Sequence, residues 1–212
     1  MRFREFWVLC CALLVLALSL PSAEAVGRQS KGSAIRQLPL WKVLPTDNYV
    51  ALKEEERVGS RWVAYAYRSP RAKRSDRLCL QIPTAWKLPF GFLGSSPGVR
   101  ECGSVGQNVQ EPVVADSAPI HGLDKRVVVI ATAPEISVID VKVRSLGVSL
   151  GVVQASTRTI SGRGAAKART SVFNYAVFIL PGDGCLRQIS GEGSDGTTVF
   201  ETPESPCSAV GP

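Results

Sequence analysis

His121 is the only histidine in the 212-residue chain, and Asp124 follows three residues later. A hydrolytic triad would have to be built on this pair, with a serine such as Ser117 or Ser104 brought in by folding, because a triad is defined by geometry and not by order along the chain. No serine lies in a Gly-x-Ser-x-Gly elbow, however. His121-Gly122-Leu123-Asp124 reads more simply as a polar turn ahead of an apolar run. No catalytic residue is assigned, and a hydrolase of unfamiliar type using His121 stands as an alternative reading.

Two basic stretches are the stronger chemical signal. Arg68, Arg71, Lys73, Arg74 and Arg77 surround Pro70 and Ser75, and Arg158, Arg163, Lys167 and Arg169 run without an acid between the first and the last. The glycines of Ser161-Gly162-Arg163-Gly164-Ala165-Ala166-Lys167 suit a phosphate-cradling loop, but the Gly-Lys-Ser/Thr ending is missing and a P-loop is rejected. Both stretches are expected as basic hairpin tips, with Arg71, Lys73, Arg74, Arg163, Lys167 and Arg169 as candidate binding residues. If they emerge at one end of the fold they form an anion-binding patch; otherwise they are two unrelated solvated loops. The stretch from Asp183 to Glu204 is the opposite, with five acids and one arginine, Arg187, available to orient a partner or to pair with the basic loops.

The compartment follows from the first 25 residues. Arg2 and Arg4 precede an apolar run from Phe6 to Leu20, and Pro21-Ser22-Ala23-Glu24-Ala25 ends it with an Ala-x-Ala site, so cleavage is expected between Ala25 and Val26. The run falls short of the roughly 20 residues that span a bilayer, Cys10 and Cys11 sit too early in it for lipidation, and no later stretch is long and apolar enough to cross. Removal of the leader takes two basic and two acidic residues, so 23 Lys+Arg against 16 Asp+Glu leave the net charge at +7. That balance serves solubility and also draws the chain to anionic surfaces.

Four cysteines then remain, Cys79, Cys102, Cys185 and Cys207, an even count that in an exported chain implies two disulfides with three possible connectivities. Cys79–Cys102 and Cys185–Cys207 are the economical pairs. Zinc is the rival, but there is no Cys-x-x-Cys and His121 is remote in sequence from every cysteine. No metal and no cofactor is expected.

The elements that must position these groups are strands. Residues 26–58 read as an extended lead-in, with Glu54-Glu55-Glu56 a solvated turn or a single helical turn, and one domain covers residues 59–212. Strands are expected at Arg61–Arg68, Leu78–Ile82, Arg126–Ala131, Ser137–Arg144, Val148–Gln154, Val172–Leu180, Leu186–Ile189 and Thr197–Glu201, with a hairpin across Gly191–Gly196. Ile139, Val141 and Val143 alternate with Asp140, Lys142 and Arg144, one face in the core and one in water. Trp86 to Pro119, rich in Gly, Pro and Ser, reads as a long irregular segment tethered by Cys102. The fold class is therefore all-β, an antiparallel β-sandwich of about eight short strands, with an immunoglobulin-like arrangement among the options although the antibody Cys-Trp-Cys pattern is absent. Trp62 alternates with Tyr65 and Tyr67, so the tyrosines either pack in the core or form an exposed shelf for a glycan or peptide.

Trp62 through Ile82, with Ala-Tyr-Arg-Ser and Leu-Cys-Leu, then Glu101-Cys102-Gly103 and Val127 to Val143, resemble secreted bacterial proteins with a small β-domain and no assigned activity. The resemblance implies an exported β-protein and transfers no functional residue. The expected function is a non-catalytic binding or surface-interaction module, secreted or otherwise extracytoplasmic, at the cell surface or in the periplasm. Its expected partner is an anionic cell-surface polymer or glycan, with no specific nucleic acid. A structural cell-envelope protein is the second alternative.

Overall fold

Val127-Val128-Val129-Ile130-Ala131 offers no polar residue to either face, so the strand that holds it must be covered on both sides. The computed structural model describes residues 48–57, 59–68, 77–105, 113–145 and 148–205, all within Leu38–Pro212, the second of two compact units into which the chain divides. The expected leader, residues 1–25, lies outside the described residues, as do Cys207 and the candidate binding residues Arg71, Lys73 and Arg74.

Fourteen strands form among the described residues: β1 (Val50–Arg57), β2 (Ser60–Arg68), β3 (Arg77–Gln81), β4 (Thr84–Lys87), β5 (Leu93–Ser96), β6 (Arg100–Ser104), β7 (Val113–Ile120), β8 (Lys125–Thr132), β9 (Ile136–Ser145), β10 (Val148–Ser156), β11 (Arg158–Ile160), β12 (Phe173–Pro181), β13 (Cys185–Gly193) and β14 (Thr198–Glu201). One short helix, α1 (Gly162–Ala168), follows β11. All pairings are antiparallel, in three sheets: β1 to β6; then β11-β12-β8-β7; then β10-β9-β13-β14.

The second sheet is the middle layer. Val127, Val129, Ala131, Phe173 and Tyr175 pack against Trp62, Ala64, Leu78 and Leu80 of the first sheet. Val128, Ile130, Ala176, Phe178 and Leu180, on the opposite face, pack against Ile139, Val141, Val143 and Ile189 of the third. This explains the unbroken apolar run in β8, while the clean alternation in β9 reflects a strand with one face in water. The antiparallel all-β architecture is the expected one; the structure adds a third layer and more strands to it.

The additional strands come from segments whose composition hides them. Val50–Arg57, read as lead-in and turn, is an edge strand in which Glu54 pairs with Arg61 and Glu55 with Lys53 at 3.8 Å. The supposedly irregular Trp86–Pro119 segment contains β5, β6, β7 and the end of β4. Charges and proline are tolerated on edge strands, where a missing N–H breaks no ladder, and Pro119 lies in β7 at the edge of the middle sheet.

β3 with β4, and β5 with β6, are two arms of one long hairpin. Gln81 faces Arg100 and Thr84 faces Ser96 across it, with a break at Ile82-Pro83 opposite residues 97–99. The Gln81 Nε2 donates to the Pro97 carbonyl at 2.9 Å and holds the break together. Gly98 is required there: its φ is +73°, and a Cβ would lie 2.4 Å from the Ile82 carbonyl oxygen. At the foot of the hairpin Cys79 and Cys102 face each other and form a disulfide, with Cα atoms 4.1 Å apart. Cys185 is also disulfide-bonded.

Candidate functional site

Arg158 to Arg169 fold as a strand and a helix, where the sequence suggests a hairpin tip. Ser161 is extended, and α1 then begins at Gly162. Ala165, Ala166 and Ala168 have high helix propensity and outweigh the two glycines; Ala165 and Ala168 are the buried face. Arg163 and Lys167, four residues apart, share the exposed side. The helix stops at Arg169, whose backbone is left-handed (φ 54, ψ 36) and whose N–H donates to the carbonyls of Ala165 and Ala166. Glycine is the relaxed occupant of such a position, and a side chain there costs about 1 kcal/mol.

α1 rests on the start of β1. A Cβ on Gly164 would lie 3.8 Å from Val50, and the Lys167 ammonium sits 5.2 Å from the centre of the Tyr49 ring. Farther along β1, Lys53 shares a pocket of about 120 Å³ with Arg158, Ser156 and Tyr175. Lys53 is neutralised in part by Glu55, but Arg158, Arg163, Lys167 and Arg169 make no ion pair with another described residue. Lys53, Arg158 and Lys167 therefore lie along one edge strand, and Arg163 and Arg169 belong to the helix that rests on its start. Lys53 was not legible as a member of the group, because its nearest sequence neighbours are the three glutamates.

Arg68 and Arg77, which bracket the other basic stretch, end β2 and begin β3 beside this same end of the first sheet: Ala66 is the partner of Val50, and Arg68 that of Leu78. The acidic stretch does not pair with these cations among the described residues. Glu204 pairs with Arg187 at 3.0 Å and Lys142 at 3.8 Å, and Asp183 accepts from the Ser145 hydroxyl at 2.6 Å.

Tyr65 and Tyr67 form no exposed shelf; they are 9% and 1% exposed. Tyr65 meets Tyr49 edge to face at 4.9 Å, the Tyr67 hydroxyl donates to Gln81 Oε1 at 3.1 Å, and the Arg100 guanidinium lies 5.7 Å from the Tyr67 ring centre. Burial raises both phenol pKa values.

His121 occupies the turn between β7 and β8, as its sequence context suggests. Its ring stacks on Trp86 with centres 3.5 Å apart and planes at 26°, and desolvation lowers its pKa, favouring the neutral imidazole. None of Ser104, Ser117 and Asp124 hydrogen-bonds to it; the Ser117 N–H donates instead to Asp116 Oδ1 at 2.7 Å. The nucleophile–base–orienter arrangement of a triad is not assembled around it.

Asp116 is the titratable group that sequence reasoning overlooked. It points from β7 toward the first sheet, is 5% exposed, and receives backbone N–H groups of Ser117 and Ile82, while its Oδ2 has no hydrogen-bond partner. Burial pushes its pKa up to about 7, and the nearby Glu101 adds to the shift. Its signal was the one acid at an inward position of the Val114, Ala118, Ile120 alternation.

No family model, curated protein or solved structure matches the chain.

Proposed function

We propose that the protein is a non-catalytic, extracytoplasmic binding module that engages an anionic surface polymer or glycan through Arg158, Arg163, Lys167 and Arg169, with Lys53 beside them. The observation that carries this reading is four exposed cations on one short segment, free of ion pairs with the described residues, the first of which lines a pocket together with Lys53. Desolvated or converging cations attract polyanions without needing a shaped cavity, and the interaction weakens as salt screens it. The Cys79–Cys102 disulfide and the leader-like first 25 residues support an oxidising compartment outside the cytoplasm. The His121 hydrolase reading lacks comparable support, since its imidazole is stacked on Trp86 and partnered by no serine or carboxylate among the described residues.

The test is retention on an immobilised sulfated polysaccharide. Replacing Arg163, Lys167 and Arg169 with serine is expected to lower the salt concentration of elution with little change in the melting temperature. Unchanged or salt-insensitive retention would overturn the proposal and leave a structural envelope role.

A further inference from the structure

The opposite end of the first sheet carries a surface of another kind. The long hairpin turns at residues 88–92, beyond Lys87, whose N–H donates to the Gly59 carbonyl at 2.8 Å. The turn is closed by the Leu88 N–H donating to the Phe92 carbonyl at 2.8 Å, and Phe90 at its apex is held left-handed at φ 64. Phe90 is 98% exposed and Phe92 69%, with Leu88, Leu93 and Val99 also in solvent. Single exposed apolar side chains such as Val99 need no explanation, but Leu88, Phe90, Phe92 and Leu93 clustered on one tip do.

The tip cannot fold back to hide these rings. Trp86, just before it, lies between Gly94, where a Cβ would come within 2.3 Å of the indole, and the stacked ring of His121. That clamp joins the hairpin to the β7–β8 turn, and the Cys79–Cys102 disulfide closes its foot. Both faces of the indole being covered, it offers no platform for a sugar, and the side chains of Phe90 and Phe92 supply no hydrogen bonds to one.

Charge identifies the partner. From Arg77 to Arg100 the chain contains no acid, and Lys87, paired with Leu93, stands at the base of the apolar tip, while Arg100 lies behind the break, opposite Gln81. Glu101, an exposed acid opposite Leu80, lies behind the break with Arg100 and away from the tip. A convex apolar tip with a cation at its base and no acid in its two arms matches, in order, the acyl boundary and the anionic headgroups of a bilayer. We propose that the turn at residues 88–92 is a wedge that inserts Phe90 and Phe92 into the surface of an anionic phospholipid bilayer, with Lys87 against the headgroups. Ser60 pairs with Trp86 near this tip and Ala66 lies near α1, so β2 separates the wedge from the cationic site by roughly 20 Å at 3.3 Å per residue.

The experiment is co-sedimentation of the purified protein with vesicles of phosphatidylcholine alone and of phosphatidylcholine mixed with phosphatidylglycerol. The protein is expected to partition onto the mixed vesicles, and Phe90→Ser with Phe92→Ser to lower the partition coefficient about tenfold or more without lowering the melting temperature. Phe90→Trp should give blue-shifted emission that brominated acyl chains quench. The same quenching in a Phe90→Trp protein that also carries the three serine substitutions at α1 would separate the wedge from the polymer site. Failure of the wild type to partition, partitioning indifferent to the double substitution, or a dimer that the double substitution dissociates would each overturn the wedge.

Discussion

Tyr175 donates its hydroxyl hydrogen to the Leu52 carbonyl, 2.8 Å away and 123 residues apart in sequence. The bond fastens β12 of the middle sheet to the edge strand β1, directly under the cationic pocket. Tyr175→Phe keeps the ring but leaves a buried carbonyl unpaired, and is expected to destabilise the fold by about 1–2 kcal/mol in denaturant titration. Because the Lys53–Arg158 pocket depends on the position of β1, polymer retention should weaken as well.

Asp116 sets a pH dependence of unusual sign for a carboxylate. Its folded pKa stands near 7 against an ordinary 3.8, so between those values the native state binds a proton that the unfolded chain has released. Stability therefore falls as pH rises through this window, by up to about 4 kcal/mol at 1.36 kcal/mol per pKa unit. Asp116→Asn removes the ionisation, and should unfold at higher denaturant than the wild type at pH 7 while the two converge near pH 4. Equal differences at both pH values would show that the carboxyl does not titrate in this range.

Arg169 allows charge and backbone conformation to be weighed against each other. Arg169→Gly relieves a left-handed side chain and is expected to stabilise the protein by about 1 kcal/mol. The same change removes a cation and should weaken retention on the sulfated polymer. A variant that is more stable and less retentive separates the two roles in one substitution.

Replacing Cys79 and Cys102 together by serine opens a closure of 23 residues and is expected to cost about 3 kcal/mol. Calorimetry of the double variant against the oxidised wild type measures it directly.

Strands were legible where burial imposed a simple pattern. β9 shows its alternation because its outer face meets water, and β8 shows an unbroken apolar run because both its faces are covered. β1 was hidden by Glu54 to Glu56, which belong to a charged edge, and β7 by Asp116 and Pro119. The long hairpin was obscured by Pro83, Pro97 and Gly98, which break its ladder without ending it. At the candidate site, the cations were read from composition, but α1 was not, because Gly162 and Gly164 argue for a loop until burial of Ala165 and Ala168 is known. Leu88 to Leu93 carried a readable signal of its own, four large apolar residues around Pro89 and Gly91 directly after Lys87, which only exposure turns into a surface.

A middle layer shared by two outer ones has a consequence for how the chain matures. The strands of the first sheet have all been synthesised by Ser104, yet the slab on which it rests needs β12, which ends at Pro181. A chain emerging from its N-terminus must therefore carry the greasy underside of that first sheet uncovered until most of its length has appeared. Truncations ending before β12 are expected to be recovered as aggregates, and delayed completion rather than weak final packing would set their yield.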